Sequence, residues 1–322
     1  MSSDFDALQP QVIFDAIERA GFAATGEYLQ LNSYENRVFD VRFEASKWTP
    51  EPMERAIAKF YRPHRWTRAA VQDEHGFLAD LGREGIPAVS PIDLIDGGTT
   101  LEYEGFVLSL FPRVAGRMPQ EFLAGELKQV GRTLARIHNV GAREPAKHRP
   151  TLNAETFGWR CLPKLERYIY PELYRPYCEA AAAILEYLDD HLDPSRFLRI
   201  HGDCHKGNLL HTGKEFFFVD FDDFVNGPEV QDFWMLLSGS LDDDDAEREQ
   251  EQICLGYEEL RALPADDWHL FAPLRGLRII SYAHWIAQRW QDPAFKQIFP
   301  NYETYNYWLE ETNALERIAS AL

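Results

Sequence analysis

The stretch His201-Gly202-Asp203-Cys204-His205-Lys206-Gly207-Asn208, followed by Phe218-Val219-Asp220-Phe221-Asp222, decides how this 322-residue chain is read. Two short apolar runs, FLRI (197–200) and FFFV (216–219), flank the first element and carry the second. At that length and composition they read as buried strands. The pattern is H-x-D with an asparagine five residues after the aspartate. A second aspartate ends the next strand, twelve residues beyond Asn208. A carboxylate can take a proton, and a neutral amide oxygen beside another carboxylate suits a hard cation such as Mg2+. A polar hairpin turn whose side chains satisfy one another would explain either element alone. Two of them at consecutive strand ends point to phosphoryl transfer onto a hydroxyl.

The chain upstream has a different texture. GEYLQL and RVFDVRF alternate apolar and polar residues around the turn NSYEN (32–36), and RAIAKFY (55–61) reads as a third strand. Val71, Leu78 and Leu81 recur at helical spacing before Gly85, and TTLEYEGFVLSLFP (99–112) is a hairpin turning at Glu104-Gly105. Ahead of these, Ile13, Ile17 and Ala20 mark a helix. Beyond Ala115 the pattern is helical: Leu123, Leu127, Val130, Leu134 and Ile137 form one stripe. Further helices are expected over 177–190 and 268–291, with the acidic run 241–249 as a solvated helix start. The expected class is α+β in two lobes. Residues 1–25 are a helical extension, 26–112 a small antiparallel β lobe with one helix, and 113–322 a larger, mainly helical lobe.

The β lobe supplies a second set of residues. Lys59 sits in the strand AIAKFY, and Glu74, in the following helix, is its expected ion-pair partner. No glycine occurs between Gly26 and Gly76, so a glycine-rich phosphate loop is missing. Ser33 and Asn36, in the first hairpin turn, can donate hydrogen bonds to phosphate in its place.

Composition narrows the rest. Lys plus Arg number 33 against 52 Asp plus Glu, a net charge of −19, which speaks against nucleic acid as a partner. The opening MSSDFDALQPQVIF lacks a basic start and a long apolar core, and no window approaches a membrane span. The four cysteines include no C-x-x-C pair. A reduced, cytoplasmic, monomeric enzyme without membrane association is the expectation. His201, His205 and His211 have nothing near them in sequence to complete a zinc set.

With these residues in view, the sequence resembles the aminoglycoside phosphotransferase and choline kinase superfamily of protein-kinase-like folds. That superfamily uses H-G-D-x-x-x-x-N and often replaces the glycine loop. More narrowly it is similar to bacterial stress-response kinases that act on protein serine and threonine. LNSYENRVF (31–39), KFYRPHRWT (59–67), EHGFL (74–78), HRPTLN (148–153), RIHGDCHKGNLL (199–210), FVDFDD (218–223), NGPEVQDFWMLL (226–237) and RWQDPAF (289–295) carry the resemblance. It implies ATP as phosphoryl donor, Mg2+ as cofactor and a protein Ser or Thr hydroxyl as acceptor. Asp203 would be the catalytic base, and Asn208 and Asp220 the Mg2+ ligands. Lys59 and Ser33 would meet the phosphates, and the hinge at Ser109 to Phe111 the adenine. His201 would orient the catalytic loop and Asp232 would brace it through backbone N–H groups. Asp220 and Asp232 are too close in sequence for a long activation loop, so constitutive competence is expected. Two alternatives stay open. One is a small-molecule kinase acting on an amino-sugar, amino-alcohol or sugar hydroxyl. The other is a nucleotide-binding module without turnover, disfavoured because Lys59, Asp203, Asn208 and Asp220 are all present.

Overall fold

The computed structural model describes residues 4–44, 53–119, 121–123, 125–236 and 244–322. Helix α1 (Pro10–Arg19) leads into strands β1 (Ala24–Leu31), β2 (Arg37–Phe43) and β3 (Arg55–Tyr61). Helix α2 (Arg68–Arg83) follows, then β4 (Leu101–Tyr103) and β5 (Phe106–Pro112). The five strands form one antiparallel sheet in the order β1-β2-β3-β5-β4. Its register sets Lys59 of β3 between Val38 of β2 and Ser109 of β5, in the middle of the sheet.

The larger lobe contains α3 (Glu126–Gly141), a single turn α4 (Leu162–Leu165) and α5 (Pro171–His191). Two strand pairs carry the polar motifs: β6 (Leu198–Ile200) with β9 (Val225–Gly227), and β7 (Leu209–His211) with β8 (Phe216–Phe218). Helices α6 (Val230–Leu236), α7 (Asp244–Glu258), α8 (Phe271–Arg289), α9 (Pro293–Ile298) and α10 (Tyr305–Ala319) complete it. Among the described residues no helix is long and apolar enough to cross a membrane. The acidic run enters α7 at Asp244, and its first residues, 241–243, lie outside the described residues.

Packing redraws the lobes at two points. Ile13, Ala16 and Ile17 of α1 join Phe39, Val41, Phe60 and Leu108 in the sheet's own core, so the N-terminal helix is part of that lobe's interior. Helix α2 does the reverse. Its N-terminus is capped by Thr67, whose hydroxyl accepts from the Ala70 N–H, and its apolar face belongs to the large core. Phe77 meets Phe221 and Phe224 at ring distances of 5.8 and 5.5 Å. The helix therefore ties the sheet to the Asp220–Asp222 segment. Leu123 departs from the expected stripe: it precedes α3 and is 72% exposed, so the buried row comprises Val130, Leu134 and Ile137, with Leu127 at its edge.

Helices α3 and α7 cross closely because glycine stands at the contact on both. A β-carbon at Gly131 would overlap the Ile253 carbonyl, and one at Gly256 would overlap that of Lys128. Gly131→Ala should lower unfolding free energy by about 1–3 kcal/mol through overpacking. Gly76→Ala, in α2 with open space around its α-carbon, should raise it by about 0.5–1 kcal/mol. Urea unfolding of both variants checks the contrast.

Candidate active site

The loop between β6 and β7 is held from below by one buried carboxylate. Asp232, at the start of α6 and fully buried, accepts the backbone N–H of His201 at 2.9 Å and of Gly202 at 2.8 Å. His138 of α3 reaches the same carboxylate through Nε2 at 3.1 Å, and its Nδ1 meets the Tyr257 hydroxyl at 2.9 Å. Gly202 has φ +79°, and a β-carbon there would overlap the Asp223 carbonyl, so this turn requires glycine. His201 spans the two motifs. Its Nδ1 accepts the Asp203 N–H at 3.3 Å, which leaves Nε2 to donate to the Val219 carbonyl at 3.0 Å.

Asp203 stands at the cleft with both carboxylate oxygens engaged. Arg278 of α8 donates to Oδ1 at 2.6 Å, and His205 Nε2 lies 3.4 Å from Oδ2. Burial works to raise its pKa, but the Arg278 guanidinium and His205 outweigh burial and hold the group below the usual carboxylate range. Asn208 donates its amide to the Asp203 carbonyl at 2.9 Å, so its amide oxygen is the atom left for another partner. Asp220 follows β8 in the left-handed region, φ +60° and ψ +61°, with its side chain 56% exposed. His211 stacks on Phe216 at 4.4 Å, apart from this group.

Lys59 joins the lobes. Its Nζ lies 3.2 Å from Asp222, 3.3 Å from Asp220 and 3.7 Å from Glu74. The nearest carboxylates are thus those after β8, and the expected pairing with Glu74 is the longest of the three. Glu74 is bound more closely by Arg149, at 2.7 Å, and both are buried. Asp222 also receives Arg65 at 2.6 Å and Asn36 at 3.2 Å. Burial alone would lower the Lys59 pKa; Asp222 and Glu74 reverse that and hold the ammonium well above its ordinary value. For Asp222, burial is overcome by Lys59, Arg65 and Arg149, and its carboxylate sits below the ordinary range.

Two expectations for the β lobe change with the geometry. Asn36 points inward: its amide nitrogen serves Asp222 and its oxygen accepts the Arg62 N–H at 3.0 Å, so neither is turned to a ligand. Ser33 remains half-buried at the turn, its hydroxyl accepting the Asn36 N–H at 3.4 Å. At the expected hinge, the Leu110 carbonyl accepts from Ile92 at 2.7 Å. Strand alternation then directs the backbone of Ser109 and Phe111 toward β3 rather than the cleft. Phe111 contributes a ring edge-on to His75 at 5.8 Å, and the Ser109 hydroxyl is buried without a hydrogen bond. The sequence reading missed Asp222, Arg65, Arg149 and Arg278 as site residues. The first three stand inside motifs already quoted, FVDFDD, KFYRPHRWT and HRPTLN. Nothing in the sequence separates Arg278 from the other arginines of α8.

Comparison with known proteins accords with this geometry. The model of the phosphotransferase enzyme family matches residues 27–274. The chain belongs to that family. Stress response kinase A of Escherichia coli K12 is 36% identical, covering 96% of this chain and 92% of that protein. Serine/threonine protein kinase RdoA of Salmonella typhimurium LT2 is 33% identical with the same coverage. The solved structure of amicoumacin kinase hAmiN in complex with AMP-PNP, Ca2+ and Ami shares the fold at 17% identity. Its TM-score is 0.71, over 91% of this chain and 90% of that one. This family member is therefore a kinase with the two-lobed, kinase-like α+β fold.

The acidic pair after β8 offers a test of this arrangement. Asp222→Asn should cost about 3–5 kcal/mol of unfolding free energy, because it strips a buried carboxylate from Lys59 and Arg65. Asp220→Asn, at an exposed position, should cost under about 1 kcal/mol. Denaturant unfolding measures both, and equal losses would contradict the assignment of Asp222 as the buried anchor.

Proposed function

We propose that the protein transfers the γ-phosphoryl group of ATP to a serine or threonine hydroxyl of a protein, with Mg2+ as cofactor. The observation that carries this reading is the reach of Lys59, from the middle of the sheet, to 3.3 Å from Asp220 across the cleft. A lysine buried among carboxylates is a cation held ready for phosphate oxygens. Asn208, through its amide oxygen, and Asp220, through its exposed carboxylate, form the hard-oxygen donor set that Mg2+ prefers. Mg2+ there would neutralise phosphate charge as the phosphoryl group moves.

In this reading Asp203 orients the acceptor hydroxyl and takes its proton. A carboxylate held at low pKa is a weak base, but the transition state is loose and catalysis rests on positioning and charge. His201 and Asp232 fix the backbone from which Asp203 projects. Ser33 lies at the turn where phosphate would pass, and the backbone after Pro112 takes the adenine-facing role that Ser109 and Phe111 do not fill. The choice of a protein acceptor is supported by the relative named as a serine/threonine protein kinase, which matches nearly the whole chain. The fold shared with amicoumacin kinase keeps a small-molecule acceptor as the competing reading.

Asp203→Asn should keep AMP-PNP and Mg2+ binding in calorimetry while turnover falls by about 10²–10⁴. Loss of binding together with turnover would remove Asp203 from the role of base. Asp220→Asn should abolish Mg2+-supported transfer. With labelled ATP, acid-stable label on protein serine or threonine is the expected product. Label confined to an added amino-sugar or choline-like compound would transfer the assignment to a small-molecule kinase.

A further inference from the structure

The turn between β1 and β2 contains no glycine, yet it is heavily anchored by side chains from other elements. Glu35, within it, is 9% exposed and is held by side chains from both lobes. From helix α8, Arg289 approaches Glu35 at 2.7 Å through Nη2 and 3.2 Å through Nε, and the Trp285 indole N–H donates at 2.5 Å. From the sheet side, Arg62 lies 3.0 Å away and Arg65 3.4 Å. Arg62 also shapes the backbone of the turn. It donates to the carbonyls of Glu35 at 3.0 Å and Tyr34 at 3.3 Å, and its own N–H caps the Asn36 side chain. Arg65, the next link inward, is paired to Asp222, which holds Lys59. A continuous path of charged contacts thus runs from the end of α8 to the lysine in the middle of the sheet.

A glycine-rich loop fits phosphate by letting its backbone approach closely. Here the turn has bulkier residues and its conformation is imposed by neighbours. We propose that Trp285 and Arg289 are positioning residues for the phosphoryl donor: acting through Glu35, they clasp the β1–β2 turn onto the helical lobe and replace the glycine loop as the device that fixes it over the phosphates. The inference rests on the ATP-dependent reading above. Trp285 is itself set by stacking on Tyr282 at 5.3 Å and by edge contacts with Phe295 and Phe299 at 5.1 and 5.9 Å. Its indole N–H is therefore aimed by a rigid aromatic group. The clasp orders the turn before nucleotide arrives, so its loss appears in nucleotide affinity.

The test uses the full chain with Arg289→Gln, Arg289→Lys and Trp285→Phe. Trp285→Phe keeps an aromatic ring in the stack and deletes only the donor. AMP-PNP with Mg2+ is titrated by calorimetry, and amide hydrogen exchange is followed over residues 32–36. Arg289→Gln and Trp285→Phe should each weaken AMP-PNP binding on the order of tenfold and speed exchange in the turn. Arg289→Lys, which keeps the charge, should recover part of both effects. A lowered melting temperature with unchanged nucleotide affinity in both variants would make the clasp a mere interlobe brace and overturn the proposal. Failure of the wild-type chain to bind AMP-PNP would instead overturn the ATP-dependent reading, and the clasp's role with it.

Discussion

The meeting of the two lobes depends on keeping an ammonium charge at Lys59 out of water. An isolated buried ammonium would lose its proton or draw in solvent. Asp222, itself buried, prevents this at 3.2 Å, and it shares its charge with Arg65 while Arg149 serves Glu74 next to it. Desolvation makes such a cluster poor as a source of stability when compared with apolar packing, and costly to break once built. Its value lies in specifying one arrangement. The sheet supplies Lys59, α2 supplies Glu74, and the segment after β8 supplies Asp220 and Asp222, so the lobes meet in one register. Asp220, at the exposed rim, is the member that can change partners without stranding a buried charge.

Below this cluster the design changes from ions to dipoles. Asp232 is met by two backbone amides and an imidazole, with no arginine or lysine among those partners. Through His138 and Tyr257 the loop bearing Asp203 is connected to α3 and α7, the helices whose glycines permit their close crossing. The position of Asp203 therefore rests on the packed helical lobe, while the position of Lys59 rests on the contact between lobes. The Lys59 and Asp203 sides of the cleft have separate supports.

Much of this was legible in the sequence because it is local. The spacing of Asp203, Asn208 and Asp220 depends on a loop and a hairpin only a few residues long, and alternation or helical periodicity marks most strands and helices. What escaped is what folding brings together from afar. Glu74 stands in a helix after the Lys59 strand, so it was the natural partner on paper, but Arg149 competes for it from a separate part of the chain. Asn36 carries a side chain suited to phosphate, yet Arg62 and Asp222 use both of its ends. The apolar stripe of α2 predicts a buried face without saying which core it enters. Arg278 is one arginine among several on α8 until the fold sets it against Asp203.

The backbone at Asp220 has a further consequence, for how the family can vary. With φ at +60° it occupies a region that most residues with a β-carbon avoid, aspartate and asparagine less than the others, and that glycine enters freely. Few side chains fit there whatever the demands of catalysis. A descendant that abandoned the reaction but kept the fold would drift toward asparagine or glycine, both one base change from aspartate. Such a lineage would keep a well-formed cleft and remain a single mutation away from regaining its carboxylate, so with Asp220 in its proposed role a loss of activity here would be an evolutionarily reversible step.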